Sequence, residues 1–342
     1  MSMASIFGLA GPKLTAGERA FFRDASPWGF ILFARNIETP AQVARLCADI
    51  RDTVGRHAMI FIDQEGGRVR RMRPPYWRDY PAAAVLADIY RNNKSDGLMA
   101  CYLHHRLMAD DLRTAGLNAD CAPVLDLPVD GADPIISDRA FGNSTASIID
   151  MAHAAMAGLM VGGVAPVIKH IPGHGRATVD SHKALPRITE PELQLRLTDF
   201  MPFTALSDAP MAMTAHAVFD CVDDTVPLTL STAAIDHIVR GVIGFDGLLM
   251  SDDLDMKALS GGLTAKTERA LAAGCDIALQ CSGVLPAMVK VAKGAKTLTG
   301  DARRRADIAD YSALYADEFD RTSAEIAFDA LLIQYGHQQV SV

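Results

Sequence analysis

Residues 247–253 read GLLMSDD, a short apolar run that stops on two adjacent carboxylates. A run of this length, opened by glycine and closed by charge, is too short for an ordinary helix and suits a strand buried on both faces. Seven other stretches share the form: SIFGLAG (5–11), GFILFA (29–34), AMIFID (58–63), LNADCAP (117–123), PVIKH (166–170), MAMTAH (211–216) and DIALQCS (276–282). Helical patterns lie between them. In TPAQVARLCADIRDTV (39–54), Val43, Leu46, Ile50 and Val54 recur at helical spacing, and in STAAIDHIVRGVIG (231–244) the Ser231 hydroxyl is placed to cap a helix. Continuous apolar strands alternating with helices specify a parallel sheet covered on both faces. Eight such units predict an α/β fold, a single (β/α)8 TIM-type barrel with a helical C-terminal tail, and a doubly wound open sheet is the main alternative. With no repeat or linker composition to divide it, the chain is expected to be one catalytic domain over 1–342, in which 286–342 supply the final helices and the tail.

Composition narrows the function classes. The 342 residues are 49% apolar and 22% charged, ordinary for a globular protein, and the net charge of −8 opposes a nucleic-acid partner, whose phosphates demand a basic surface. The basic cluster DARRRAD (301–307) is flanked by aspartates and reads as a solvated helix face. No stretch approaches the roughly 18 uninterrupted apolar residues of a membrane span. The opening MSMASIFGLAGPKL lacks a basic segment followed by a long apolar run, so it is read as the first strand, and a cytoplasmic location is expected. Six cysteines are scattered without a C-x-x-C pair, and most sit in apolar segments where reduced, buried thiols are common, so no disulfide framework is expected.

The ends of the strands carry the chemistry. AMIFID ends in Asp63, PVIKH in Lys169 and His170, MAMTAH in His216 and GLLMSDD in Asp252 and Asp253. A parallel barrel gathers these ends around one pocket.

The segment KHIPGHGRATVDSHKALP (169–186) admits three readings. His170, His174, Asp180 and His182 could ligate a metal, but Pro172, Gly173 and Gly175 disfavour the helix that would put His170 and His174 on one face. A phosphate cradle is weaker, because no lysine follows the second glycine. In the third reading, Asp180 accepts a hydrogen bond from one nitrogen of His182, fixes the tautomer and leaves the other nitrogen for substrate: an oriented proton carrier. Its partner is Asp252, a strand-end carboxylate able to attack an electrophilic carbon and divide one displacement into two. Glycoside cleavage fits this division of labour, with histidine in place of the usual second carboxyl. Asp253, the next residue on the strand, is expected to turn away from the pocket. In DQEGGRVRRM (63–72), Asp63 can meet sugar hydroxyls, and Arg68, Arg70 and Arg71 can meet polar or acidic groups. Arg139 in PIISDRAFG (134–142) has the same capacity, and Lys169 at the end of an apolar strand needs a partner or a ligand.

Six motifs in order, DQEGGRVRR, CAPVLDL, SDRAFG, KHIPGHGRATVDSHKALP, MTAHAVF and MSDDLDM, resemble glycoside hydrolase family 3, specifically the β-N-acetylglucosaminidases of bacterial peptidoglycan recycling. The resemblance spans residues 5–285. It implies a (β/α)8 barrel, no metal or other cofactor, and a retaining mechanism in which Asp252 is the nucleophile, His182 the acid/base and Asp180 its orienting partner. It further implies that Asp63, Arg71, Arg139, Lys169 and His170 bind the N-acetylglucosamine, with His216 nearby. The implied substrate is a small molecule, a muropeptide or chitobiose-like glycoside such as N-acetylglucosaminyl-β-1,4-anhydro-N-acetylmuramic acid with or without peptide. No nucleic-acid or membrane partner is expected, and the protein is expected to be a monomer or weak homodimer in the bacterial cytoplasm. A phosphorylase on the same scaffold, a metal-dependent hydrolase and a non-catalytic sugar-binding protein are the competing readings.

Overall fold

The structure, a computed structural model, describes residues 2–337; Met1 and the end of the expected tail, 338–342, lie outside the described residues. The strands are β1 (Met3–Gly8), β2 (Pro27–Leu32), β3 (Met59–Ile62), β4 (Ala119–Asp120), β5 (Ala165–Ile171), β6 (Arg187–Ile188), β7 (Met211–Thr214), β8 (Val218–Phe219), β9 (Leu248–Met250) and β10 (Ala278–Gln280). Eight of them form one all-parallel sheet in the order β10-β1-β2-β3-β4-β5-β7-β9. Its two outer strands meet: Met250 bridges Ile277 in parallel, and the Ser251 and Leu254 amides donate to the Ile277 and Leu279 carbonyls at 3.0 Å. The sheet is therefore a (β/α)8 barrel, and each predicted apolar run contributes one of its strands. β6 and β8 pair separately above it.

Alternation along the strands divides the core in two. Ile6, Trp28, Met59, Phe61, Met213 and Met250 point into the barrel, whereas Phe7, Phe30, Ile60 and Ile62 face the surrounding helices. Fully burying one such side chain contributes roughly 1.5–3 kcal/mol. Below the strands, Leu298 and the small residues Ala306, Ala309 and Ala313 close the barrel floor, and Trp28 Nε1 donates to Asp310 at 3.3 Å. The basic cluster lies on this floor helix, Gly300–Ser312, with Arg303 paired to Asp307 and both Arg304 and Arg305 to Asp246.

Helix boundaries follow local chemistry. Thr39 Oγ1 accepts the Gln42 amide to open Pro40–Val54, which ends at Gly55 with φ 65°, a conformation that costs glycine nothing. Ser231 caps the next predicted helix through the Ala234 amide, but beyond Ala234 the helix widens to π-type winding over Ile235–Val242. The helix Arg321–Gln334 packs Phe328 and Leu332 into the core, alongside Lys94–Thr114. All six cysteines are free thiols. No helix among the described residues is long and apolar enough to cross a membrane.

Candidate active site

The C-terminal ends of the strands open into a cavity of about 200 Å³. One wall is polar, built from Asp63, Glu65, Arg68, Arg71, Arg139, Lys169 and His170; Ile31, Phe33, Met213, Met256, Leu279 and Cys281 form the apolar side. His182, Asp252 and Asp253 complete it.

Lys169 is the centre of the polar wall. Its side chain is 2% exposed, and Nζ lies 3.1 Å from Asp63 Oδ1 and 2.7 Å from Glu65 Oε1. Burial works to lower its affinity for the proton, but the two carboxylates outweigh burial and raise it. Arg71 holds the other oxygen of Asp63 at 3.0 Å, and Arg139 grips Glu65 with two parallel hydrogen bonds of 2.8 Å. Against the same burial, these cations hold Asp63 far below the usual carboxylate range and Glu65 at about 2. The partner that Lys169 required is thus a pair of acids. Arg68 is drawn outward to Asp138, at 2.7 Å.

His170 follows Lys169, and neighbours on a regular strand face opposite ways. Here the register with β7 shifts between Lys169 and Ile171, and both side chains reach the cavity. His170 Nδ1 lies 2.7 Å from Asp126 Oδ2, and the other oxygen of Asp126 accepts the His170 and His174 amides. Burial works against this carboxylate, but the two nearby imidazoles, the His170 Nδ1 hydrogen bond and the His174 amide keep it at about 2. The His174 ring is buried beside His170, 5.8 Å between centroids.

Beyond Gly175 the chain forms a turn in which Asp180 Oδ1 accepts both the backbone amide of His182, at 2.8 Å, and its Nδ1–H, at 2.9 Å. Asp180 is buried and does not line the cavity, while the His182 side chain is 64% exposed with Nε2 free. The Ser181 carbonyl accepts the Ala258 amide at 3.2 Å, anchoring the turn to the segment after β9. That segment carries Asp252. Burial would raise its carboxyl, but His216, His170 and the Asp253 amide at 2.7 Å together lower it, so it is an anion at neutral pH.

Two expected positions differ in detail. His216 does not line the cavity: it lies behind Asp252 with Nδ1 on Thr229 at 2.7 Å and Nε2 on the Asp253 carbonyl at 3.1 Å. Asp253 does reach the cavity edge, although its Oδ1 is turned to the Asp255 and Cys281 amides, both at 3.1 Å; burial pushes it up to about 6. Tyr76 and Trp77 stand outside the cavity. Among the described residues no group of three histidine, cysteine or acidic side chains is arranged to hold a metal ion. The histidines of 169–186 go separate ways, His170 to Asp126 and His182 to Asp180. Glu65 and Asp126 were not singled out from sequence, although each follows a strand end inside a quoted motif.

A neutral-pH carboxylate and an imidazole oriented by a second carboxylate, facing one cavity, can perform nucleophilic attack with proton transfer to a leaving group. The family model for the glycosyl hydrolase family 3 N-terminal domain matches residues 10–306. The chain belongs to glycoside hydrolase family 3. Among curated relatives, a beta-hexosaminidase of Alkalilimnicola ehrlichii is 36% identical over 281 residues, 81% of this chain and 80% of that protein. One from Pseudomonas aeruginosa is 37% identical over 285 residues, 82% and 83% of the two chains. Native NagZ from Neisseria gonorrhoeae superposes with a TM-score of 0.85 at 30% identity, covering 96% of this chain and 98% of that one. This family 3 protein is a glycoside hydrolase.

Proposed function

We propose that this family 3 enzyme is a retaining exo-β-N-acetylglucosaminidase that removes terminal N-acetylglucosamine from peptidoglycan turnover fragments in the bacterial cytoplasm, acting as one catalytic unit. The observation that carries the reading is the placement of His182, backed by Asp180 at 2.9 Å, on the same cavity as the anionic Asp252. Asp63, Arg71, Arg139, Lys169 and His170 bind the sugar hydroxyls, and His216 supports Asp252 from behind. In the first step the imidazolium of His182 gives its Nε2 proton to the glycosidic oxygen as the C1–O bond breaks, and an Asp252 oxygen bonds to C1. In the second, neutral His182 takes a proton from water, the water oxygen bonds to C1, and Asp252 leaves. Two inversions give net retention. No cofactor enters either step.

A fluorinated glucosaminide that traps the covalent ester should label Asp252, and a label on any other residue refutes the nucleophile. Asp252→Asn should lose roughly 10⁴-fold or more in kcat on an aryl β-N-acetylglucosaminide, the scale of losing a nucleophile; turnover abolished by chelator and restored by zinc would establish the metal hydrolase instead. One feature favours a second reading: His182 offers no negative charge to repel an incoming phosphate. Product analysis in phosphate buffer separates the two, since sugar-1-phosphate in place of free sugar would make the enzyme a phosphorylase.

A further inference from the structure

The helix Arg321–Gln334 lies beyond the residues matched by the family model, and none of its side chains lines the cavity. It nevertheless reaches the loop carrying Asp63, Glu65 and Arg71 by three routes. Phe328, fully buried, packs edge-on to the His104 imidazole with ring centroids 5.9 Å apart, and His104 packs in turn on Tyr80 at 5.1 Å. A Cβ added at Gly66 would stand 3.0 Å from His104 Cε1, so the Gly66–Gly67 turn rests directly on that ring. Glu65, immediately before the turn, holds Lys169 and Arg139. By the second route Arg78, at the far end of the loop, lies over the Phe328 ring at 5.0 Å and pairs with Asp329. By the third, the Tyr80 hydroxyl donates to Asp111 at 2.7 Å, and Arg321 pairs with that carboxylate at 2.8 Å. The Gly67 amide donates to the Tyr80 carbonyl at 2.9 Å, which ties the two ends of the loop together.

We propose that the C-terminal helix positions the sugar-binding loop from behind, with Arg78, His104, Phe328 and Asp329 acting as positioning residues through Glu65. The proposal rests on the reading that this loop grips the terminal sugar. A charge displaced by a fraction of an ångström loses much of its hydrogen bond, so the rigidity of the support governs the affinity of the site. Asp252 and His182 stand on other segments, after β9 and after β5. The helix therefore acts on binding and leaves the chemical step alone.

This separation gives the test. Full-length Phe328→Leu and Asp329→Asn variants should raise KM for an aryl β-N-acetylglucosaminide roughly three- to tenfold, with kcat within about twofold of the parent. Asp329→Glu should recover most of the loss. Asp329 is half-exposed, so that variant folds even where the Phe328 substitution does not. An unchanged KM in Asp329→Asn, or a fall in kcat at constant KM as expected of a partly unfolded preparation, overturns the proposal. Arg71→Ala serves as the control: if it raises KM while the helix variants do not, the brace alone fails, and if it too leaves KM unchanged, the sugar-binding reading of the loop falls and takes the brace with it.

Discussion

His170 Nδ1 and Asp126 Oδ2 lie 2.7 Å apart, and the same carboxylate accepts two backbone amides from the segment that carries His170 and His174. Asp126 thus holds the orientation of His170 and the entry to the segment that leads to His182 at once. Asp126→Ala would leave three donors without an acceptor in a buried site, at roughly 1–3 kcal/mol for each group that water cannot reach. The expected outcome is a clear loss of denaturant stability together with a raised KM; a stable variant with normal KM would contradict it.

Lys169, Asp63 and Glu65 form a buried charge cluster in which removing one member strands the others. Lys169→Met is expected to destabilise the fold by about 3–5 kcal/mol, because two desolvated carboxylates lose their shared cation. Arg71 and Arg139 compensate only in part, since each already serves one of the acids. Urea denaturation of the variant checks the figure, and a loss below about 1 kcal/mol, the range of exposed pairs, would show that the cluster is solvated.

Asp180→Asn keeps the shape of the turn but offers His182 an amide in place of a carboxylate. The imidazolium loses its counter-charge and the tautomer is no longer fixed, so kcat is expected to fall roughly 10²- to 10⁴-fold with KM little altered. Steady-state kinetics decide between this and a merely structural turn, which would leave kcat intact.

Buried neutral histidines make the fold sensitive to acid. Burial brings His105 and His174 down to about 4 and also lowers His104 and His216, so in the window from pH 6.5 down to 4 the unfolded chain binds protons that the native chain does not. Their stabilisation is complete above the unfolded value and is lost as pH falls through the window, by roughly 3 kcal/mol each for His105 and His174 at 1.36 kcal/mol per unit. Asp253 and Asp310, raised by burial to about 6, act in the opposite sense: their penalty grows as pH rises from 4 to 6. Asp111, Asp120 and Asp199, also raised by burial, act with these two acids, and the lowered His57 acts with the histidines; the histidine contribution is a drop in stability between pH 7 and 5. His105→Gln, remote from the cavity, should flatten that drop; an identical pH profile would mean that His105 titrates normally.

The barrel was legible because its strands are buried on both faces, which leaves short apolar runs with no polar positions to confuse the period. The Asp180–His182 turn was legible for a different reason, since the two residues are two apart in the chain and their hydrogen bond is local. Glu65 and Asp126 were hidden because their partners are distant in the chain: Glu65 meets Arg139 and Lys169 across 74 and 104 positions, and Asp126 meets His170 across 44. Only the closed barrel brings them together. His216 ends its strand like the others, yet Thr229 and the Asp253 carbonyl occupy both of its nitrogens, and spacing alone does not reveal such competition.

The alanine-lined floor at Ala306, Ala309 and Ala313, with Trp28, Met213 and Met250 packed above it, makes the barrel blind at one end. A polymer cannot thread through a blind hole. On the exo reading proposed above, such a pocket counts chain termini, not mass, so the supply of substrate it sees is set by whichever reaction creates new ends: every internal cut elsewhere in a glycan adds one more place at which it can begin.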